Sequence, residues 1–117
     1  MRIYGIRGAT TVEANTSEAI LKETKHLLRA LLEANNLQTK DLVSIIFTTT
    51  PDLTAEFPAK AARLMGLNKV PLLGAVEANV SHGLPLCIRL LLHAYLKTDT
   101  KVCHLYLNRA VDLRSDL

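Results

Sequence analysis

Between Asn15 and Asn36 the apolar residues Ile20, Leu21, Leu27, Leu28, Leu31 and Leu32 recur at helical spacing, with Lys22, Lys25, Arg29 and Glu33 between them. That period gives a helix one apolar stripe and a charged back. Asn15, with Glu18 three residues on, suits a variant capping box at its start, and Asn35-Asn36 suits a left-handed turn at its end. Arg2–Ile6 predicts a short strand and Gly8–Thr11 a polar turn, which puts Arg7 at a strand end. Leu42–Thr50 is rich in β-branched residues and stops at Pro51, the pattern of a buried strand. Pro58 suits the first turn of a short helix through Leu64, with Gly66 as its stop and Lys60 and Arg63 on one face. Val70–Val76 reads as a strand at an edge, because Pro71 cannot donate to a ladder, and Glu77 stands at its end.

Leu86–Tyr95 fits either element, since Arg89 and His93 share a face by helical i,i+4 spacing and by strand alternation. Val102–Leu107 alternates as a strand, with Val102, His104 and Tyr106 on one face and Cys103, Leu105 and Leu107 on the other. No repeat or linker interrupts the chain, so residues 1–117 read as one α/β or α+β domain.

Composition narrows the functional classes. With 49% hydrophobic and 21% charged residues the chain folds, and a mean hydropathy of +0.17 points to apolar surface buried between subunits. Five aromatic residues and a dispersed net charge of +3 argue against nucleic acid and leave small anions as candidate partners. The longest stretch without ionised residues, Ala78–Ile88, falls short of the ~20 residues of a membrane span. MRIYGIRGATT has no secretory pattern, and Cys87 and Cys103 have no CxxC spacing, so a reducing cytoplasm is expected.

Little in the chain suggests covalent or metal chemistry. His26, His82, His93 and His104 lack ligand-like spacing, so no metal or other cofactor is expected. Gly5-Ile-Arg-Gly8 matches no phosphate-binding pattern and reads as two turn glycines. Arg89 is the unusual residue, because it interrupts the apolar run Cys87–Leu92, and a guanidinium there needs an anion or several acceptors. Two readings stand: a satisfied salt bridge, with Glu77 the obvious partner, or an anion site. Arg7, Arg63 and Tyr106 are individually ordinary.

GIRGATTVE (Gly5–Glu13), TPDLTAEFPAKAAR (Thr50–Arg63), VPLLGAVE (Val70–Glu77), CIRLLL (Cys87–Leu92) and LYLNRAVDLRSDL (Leu105–Leu117) together resemble, in order and spacing, the monofunctional trimeric chorismate mutases. The resemblance covers essentially the whole chain. It implies a mixed-sheet domain with a long helix, three copies forming a pseudo-barrel with active sites in the clefts between neighbours, and a strand at Leu86–Tyr95. The implied reaction is the pericyclic rearrangement of chorismate to prephenate, on the route to phenylalanine and tyrosine, without metal or cofactor.

By the same resemblance Arg89 donates to the ether oxygen, Glu77 accepts from the ring hydroxyl, and Arg7 and Tyr106 grip the side-chain carboxylate. Phe57, Ala59, Lys60, Arg63, Leu73, Gly74, Leu113 and Arg114 match positions lining the pocket. Gly74 departs from the family, whose better-known members carry a cysteine there, and the chain ends at Leu117 where some relatives continue into a tail over the pocket. The alternatives are an enamine or imine deaminase of similar trimeric architecture, which would release ammonia, and a non-catalytic trimer that binds a small carboxylate.

Overall fold

The computed structural model describes residues 1–113. Five strands form one mixed sheet: β1 (Arg2–Thr11), β2 (Leu42–Thr49), β3 (Leu72–Val76), β4 (Cys87–Leu96) and β5 (Leu105–Tyr106), in the spatial order β3-β2-β4-β1-β5. Strand β4 is antiparallel to both β1 and β2, whereas β3 and β5 join the two edges in parallel. The helices are α1 (Ser17–Ala34) and α2 (Pro58–Leu64). The ambiguous segment at Leu86–Tyr95 is therefore a strand, and it pairs on both sides. The chain with alternating Arg89, Leu91 and His93 puts its other residues, Ile88, Leu90, Leu92 and Ala94, fully or almost fully into the core.

Helix α1 lays Ile20, Thr24, Leu27, Leu28 and Leu31 on one face of the sheet. Thr24 fills the one polar position in that stripe without penalty, because its hydroxyl donates to the Ile20 carbonyl at 2.7 Å. Leu27, Leu28 and Leu31 pack with Ile6, Ile45, Phe47, Leu90 and Leu92, each such side chain contributing about 1.5–3 kcal/mol. The helix start differs from the expectation at Asn15. Thr16 is the cap, its hydroxyl accepting from the Ala19 amide at 3.1 Å, while Asn15 turns its side chain to the loop at Thr54. Its end is as expected, with Asn36 left-handed at φ 53°.

Three further expectations are corrected. Strand β1 runs on through Gly8–Thr11, so Arg7 lies in mid-strand opposite Leu91, and Gly5 and Gly8 are not turn glycines. A Cβ on Gly8 would come within 2.6 Å of Leu31 Cδ1 and 3.2 Å of Leu27 Cδ1, so glycine there lets α1 approach the strand. The strand expected at Val102–Leu107 shrinks to Leu105–Tyr106, because Asn35 captures Cys103 on both its amide (2.7 Å) and its carbonyl (2.9 Å) and bends the chain towards α1. The strand expected at Val70–Val76 starts at Leu72, and, as Pro71 implied, it is an edge strand.

Residues paired across strands share a face. Gly8 faces α1, so Arg7 and Ala9 belong to the opposite, helix-free face. One row on that face crosses the whole sheet: Ala75, Thr48, Arg89, Ala9, Tyr106. The neighbouring row is Leu73, Ile46, Leu91, Arg7. Among the described residues no helix is long and apolar enough to cross a membrane.

Two substitutions and a titration check this packing. Gly8→Ala is expected to destabilise the protein by about 1–3 kcal/mol, read as a lower denaturant midpoint at unchanged slope. Gly5→Ala, whose Cβ would sit 3.5 Å from Leu91 Cδ1, an ordinary contact, is the near-neutral control. Burial pushes the Cys87 thiol up to about 11, with the Arg89 charge opposing this only partly. At pH 8 its thiolate fraction is then on the order of 10⁻³, so thiol titration of the native protein should find exposed Cys103 reacting fast and Cys87 reacting only on unfolding.

Candidate active site

Strand β4 puts Arg89 at the centre of the sheet, and the edge of β3 brings Glu77 to it. The Glu77 amide donates to the Thr49 carbonyl at 2.9 Å, extending the β2–β3 ladder by one rung and aiming the carboxylate across β2. Glu77 Oε1 then accepts from Arg89 Nε at 3.2 Å and from the Thr48 hydroxyl at 3.4 Å. The salt-bridge reading of Arg89 is thus correct, yet the pair is not sealed. The Arg89 side chain is 41% exposed against 16% for Glu77, and the pairing with Glu77 uses Nε rather than the terminal nitrogens. An exposed guanidinium held at its inner nitrogen can still present a planar pair of donors to a ligand. A cavity of about 280 Å³ lined by Glu77, Ala78, Val80, Gly83 and Arg89 lies beside it.

The start of β4 is held by a polar clasp. Asp52 accepts from the Thr50 hydroxyl and, at 2.9 Å, from the amide of Leu86, a residue strained at φ 51°. The Thr50 hydroxyl also accepts from the Cys87 amide at 3.0 Å. These bonds fix the chain two residues ahead of Arg89.

Arg7 and Tyr106 lie on the same face as Arg89. Ala9 separates Arg89 from Tyr106 in their row and offers only a methyl group, so the two larger side chains flank a shallow gap about 10 Å across at ordinary strand spacing. The Arg7 guanidinium has no hydrogen-bond or ion-pair partner among the described residues. Leu113 lines a cavity of about 410 Å³ with His82, Gly83, Leu84 and Pro85, and Gly83 also walls the Arg89 cavity. Arg114 lies outside the described residues.

The remaining expected site residues gather elsewhere. Phe57 and Gly74 line a cavity of about 440 Å³ with Phe47, Thr49, Leu53 and Val76, on the helix side of the β2–β3 edge. Phe57 is 73% exposed, and a Cβ on Gly74 would meet nothing within 4 Å. Ala59, Lys60 and Arg63 follow on α2. Lys60 pairs with Glu56 at 3.0 Å, and its hydrogen bond, with that of the Phe57 amide, holds the Glu56 carboxyl below its ordinary pKa. Arg63 is exposed and without a partner among the described residues. Leu73 is 63% exposed at the sheet edge, on the Arg7 face. One chain therefore carries the expected residues as two sets, with Arg89, Glu77, Arg7, Tyr106 and Leu73 on the helix-free face and Phe57, Gly74 and the α2 residues on the helix side.

Three residues that support these sets escape sequence reasoning. Thr48 orients Glu77; only its place two residues before Thr50 in an alternating run hinted at the exposed face. Asn15 accepts from the Thr54 and Ala55 amides at 2.9 and 3.0 Å and donates to the Thr54 hydroxyl, tying down the loop that ends at Phe57. His104 accepts from the Arg7 amide. No periodicity signals the roles of Asn15 and His104.

The model of the family "Chorismate mutase type I" matches residues 3–117. A chorismate mutase AroH of Thermus thermophilus is 51% identical, with 98% of this chain and 96% of that protein covered. A chorismate mutase AroH of Bacillus subtilis is 46% identical, covering 100% of this chain and 94% of that protein. A solved chorismate mutase from Clostridium thermocellum superposes with a TM-score of 0.89 at 46% identity, covering 92% of this chain and 96% of that one. Full-length identity at this level, joined to the shared mixed sheet, establishes that the chain belongs to the type I chorismate mutase family.

Proposed function

We propose that this protein converts chorismate to prephenate, and that Arg89, held by Glu77 on the helix-free face of the sheet, supplies the decisive charge. The reaction is a [3,3]-sigmatropic rearrangement, in which the ether C–O bond breaks as a C–C bond forms. No proton is transferred and no nucleophile is required. Breaking runs ahead of making, so negative charge gathers on the ether oxygen and positive charge on the ring. Arg89 meets that oxygen with the terminal nitrogens that Glu77 leaves free, stabilising charge that grows only along the reaction path. Glu77 Oε1 is occupied by Arg89 and Thr48, which leaves Oε2 for the ring hydroxyl. Arg7 and Tyr106 grip the side-chain carboxylate and hold the enolpyruvyl group over the ring.

The second set of residues, Phe57, Ala59, Lys60, Arg63, Leu73 and Gly74, completes the pocket from a neighbouring copy, and Leu113 and Arg114 flank it. Two observations support an interfacial site in a homotrimer. Apart from Leu73, the sets lie on opposite faces of one chain's sheet, and the helix-free face exposes Ile3, Leu73 and Tyr95, an apolar surface suited to a partner. Two free cysteines support a cytoplasmic setting.

Purified protein should consume chorismate, followed by its ultraviolet absorbance, and yield prephenate; no rate above background, or release of ammonia from an enamine instead, overturns the assignment. Arg89→Lys should lower kcat by about 10²–10³, since an ammonium cannot reproduce the planar fork at a preorganised site. Turnover should stay nearly flat across neutral pH; a bell centred near pH 7 would contradict a step without proton transfer. Mixing Arg89→Ala and Phe57→Ala chains should restore roughly a quarter of the sites if the two sets meet across an interface, and none if each chain acts alone.

A further inference from the structure

We infer that His104 is a positioning residue that sets Tyr106 against Arg7 by serving as one rung of the β1–β5 ladder. Strand β5 is two residues long, and its backbone pairs Leu105 with Gly8 and Tyr106 with Ala9, with the Leu107 amide on the Ala9 carbonyl at 2.9 Å. In a parallel ladder the next backbone rung would serve the Arg7 amide, but Asn35 has drawn the chain away at Cys103. The imidazole fills the gap: His104 Nδ1 accepts from the Arg7 amide at 2.9 Å. An amide N–H donates to it, so Nδ1 carries no proton in this arrangement.

The consequence is mechanical. Tyr106 stands two residues after His104, and Arg7 is itself the residue whose backbone His104 holds. Without that bond the phenol is set against the guanidinium through the two-residue ladder, the Asn35 bonds to Cys103 and the contacts of Asn108 and Arg109 with Thr10 and Thr11, none of which occupies the Arg7 amide. The Arg7 amide would also lose its acceptor in a half-buried place, which costs more than the bond itself contributes.

This inference rests on the proposed roles of Arg7 and Tyr106, and its signature differs from that of Arg89. The carboxylate that Arg7 and Tyr106 hold keeps its charge from substrate to transition state, so a looser grip weakens both states alike and raises KM at nearly constant kcat. Removing Arg89 lowers kcat instead.

The test compares His104→Leu with His104→Asn, whose Oδ1 sits as many bonds from the backbone as Nδ1 and accepts the same N–H. His104→Leu should raise the KM for chorismate by roughly tenfold with kcat within about threefold. His104→Asn should recover most of that loss. A ¹⁵N–¹⁵N coupling between the Arg7 amide and His104 Nδ1 in the wild type reads the hydrogen bond without substrate, and its absence overturns the inference. An unchanged KM in a folded His104→Leu, or equal losses in Leu and Asn variants, overturns it while wild-type turnover keeps the assigned activity intact. Failure of the wild type to turn over chorismate overturns both.

Discussion

The site is organised around a guanidinium on a central strand that must be paired but must not be neutralised completely. Arg89 replaces an apolar residue in the middle of a sheet, where an unpartnered charge would carry a desolvation cost. Glu77 meets it at 3.2 Å through the inner nitrogen, and the Arg89 side chain stays 41% exposed. An ion pair so exposed contributes at most about 1 kcal/mol to stability. Its effect is orientation: the carboxylate, itself held by Thr48, stops a flexible side chain from collapsing onto the sheet.

That arrangement depends on the sheet having one covered and one uncovered face. Helix α1 seals the first, and glycine at position 8 lets it approach closely. On the second face small residues such as Ala9 leave room between large ones, and the polar clasp at Thr50 and Asp52 fixes where β4 begins. The edge strand β3 serves both faces at once. It leads into Glu77 on the uncovered side and carries Gly74 on the covered side, so a single edge contributes to both sets of candidate residues.

Much of this was legible in residue order. The amphipathic period of α1, the Pro58 start and Gly66 stop around α2, the β-branched run of β2 and the edge character of β3 all rest on local preferences that the tertiary structure had no reason to override. Arg89 stood out because a charge within an apolar run always requires an explanation, and Glu77 followed as the acid at a neighbouring strand end. Gly8 and Asn15 were misread for a common reason. Glycine and asparagine serve turns and caps in isolated sequence, but here each answers to a distant partner: Leu31 in α1 for the first, the Thr54 loop for the second. The shortened β5 has the same origin, since Asn35 lies far from Cys103 along the chain.

The sequence by itself determined the two helices, the strands β2 and β3, the domain class, the family and the identity of the charged residues, because periodicity, breakers and motif spacing are properties of neighbours along the chain. Only the tertiary structure decided which face each charge occupies, that Arg89 is both paired and open, and that the expected site residues divide into two sets. Those outcomes depend on strand register, where a shift of one residue would send Arg7, Arg89 and Tyr106 to the opposite side of the sheet. Register is fixed by long-range packing and by single hydrogen bonds such as the one from the Arg7 amide to His104, and no local pattern records it.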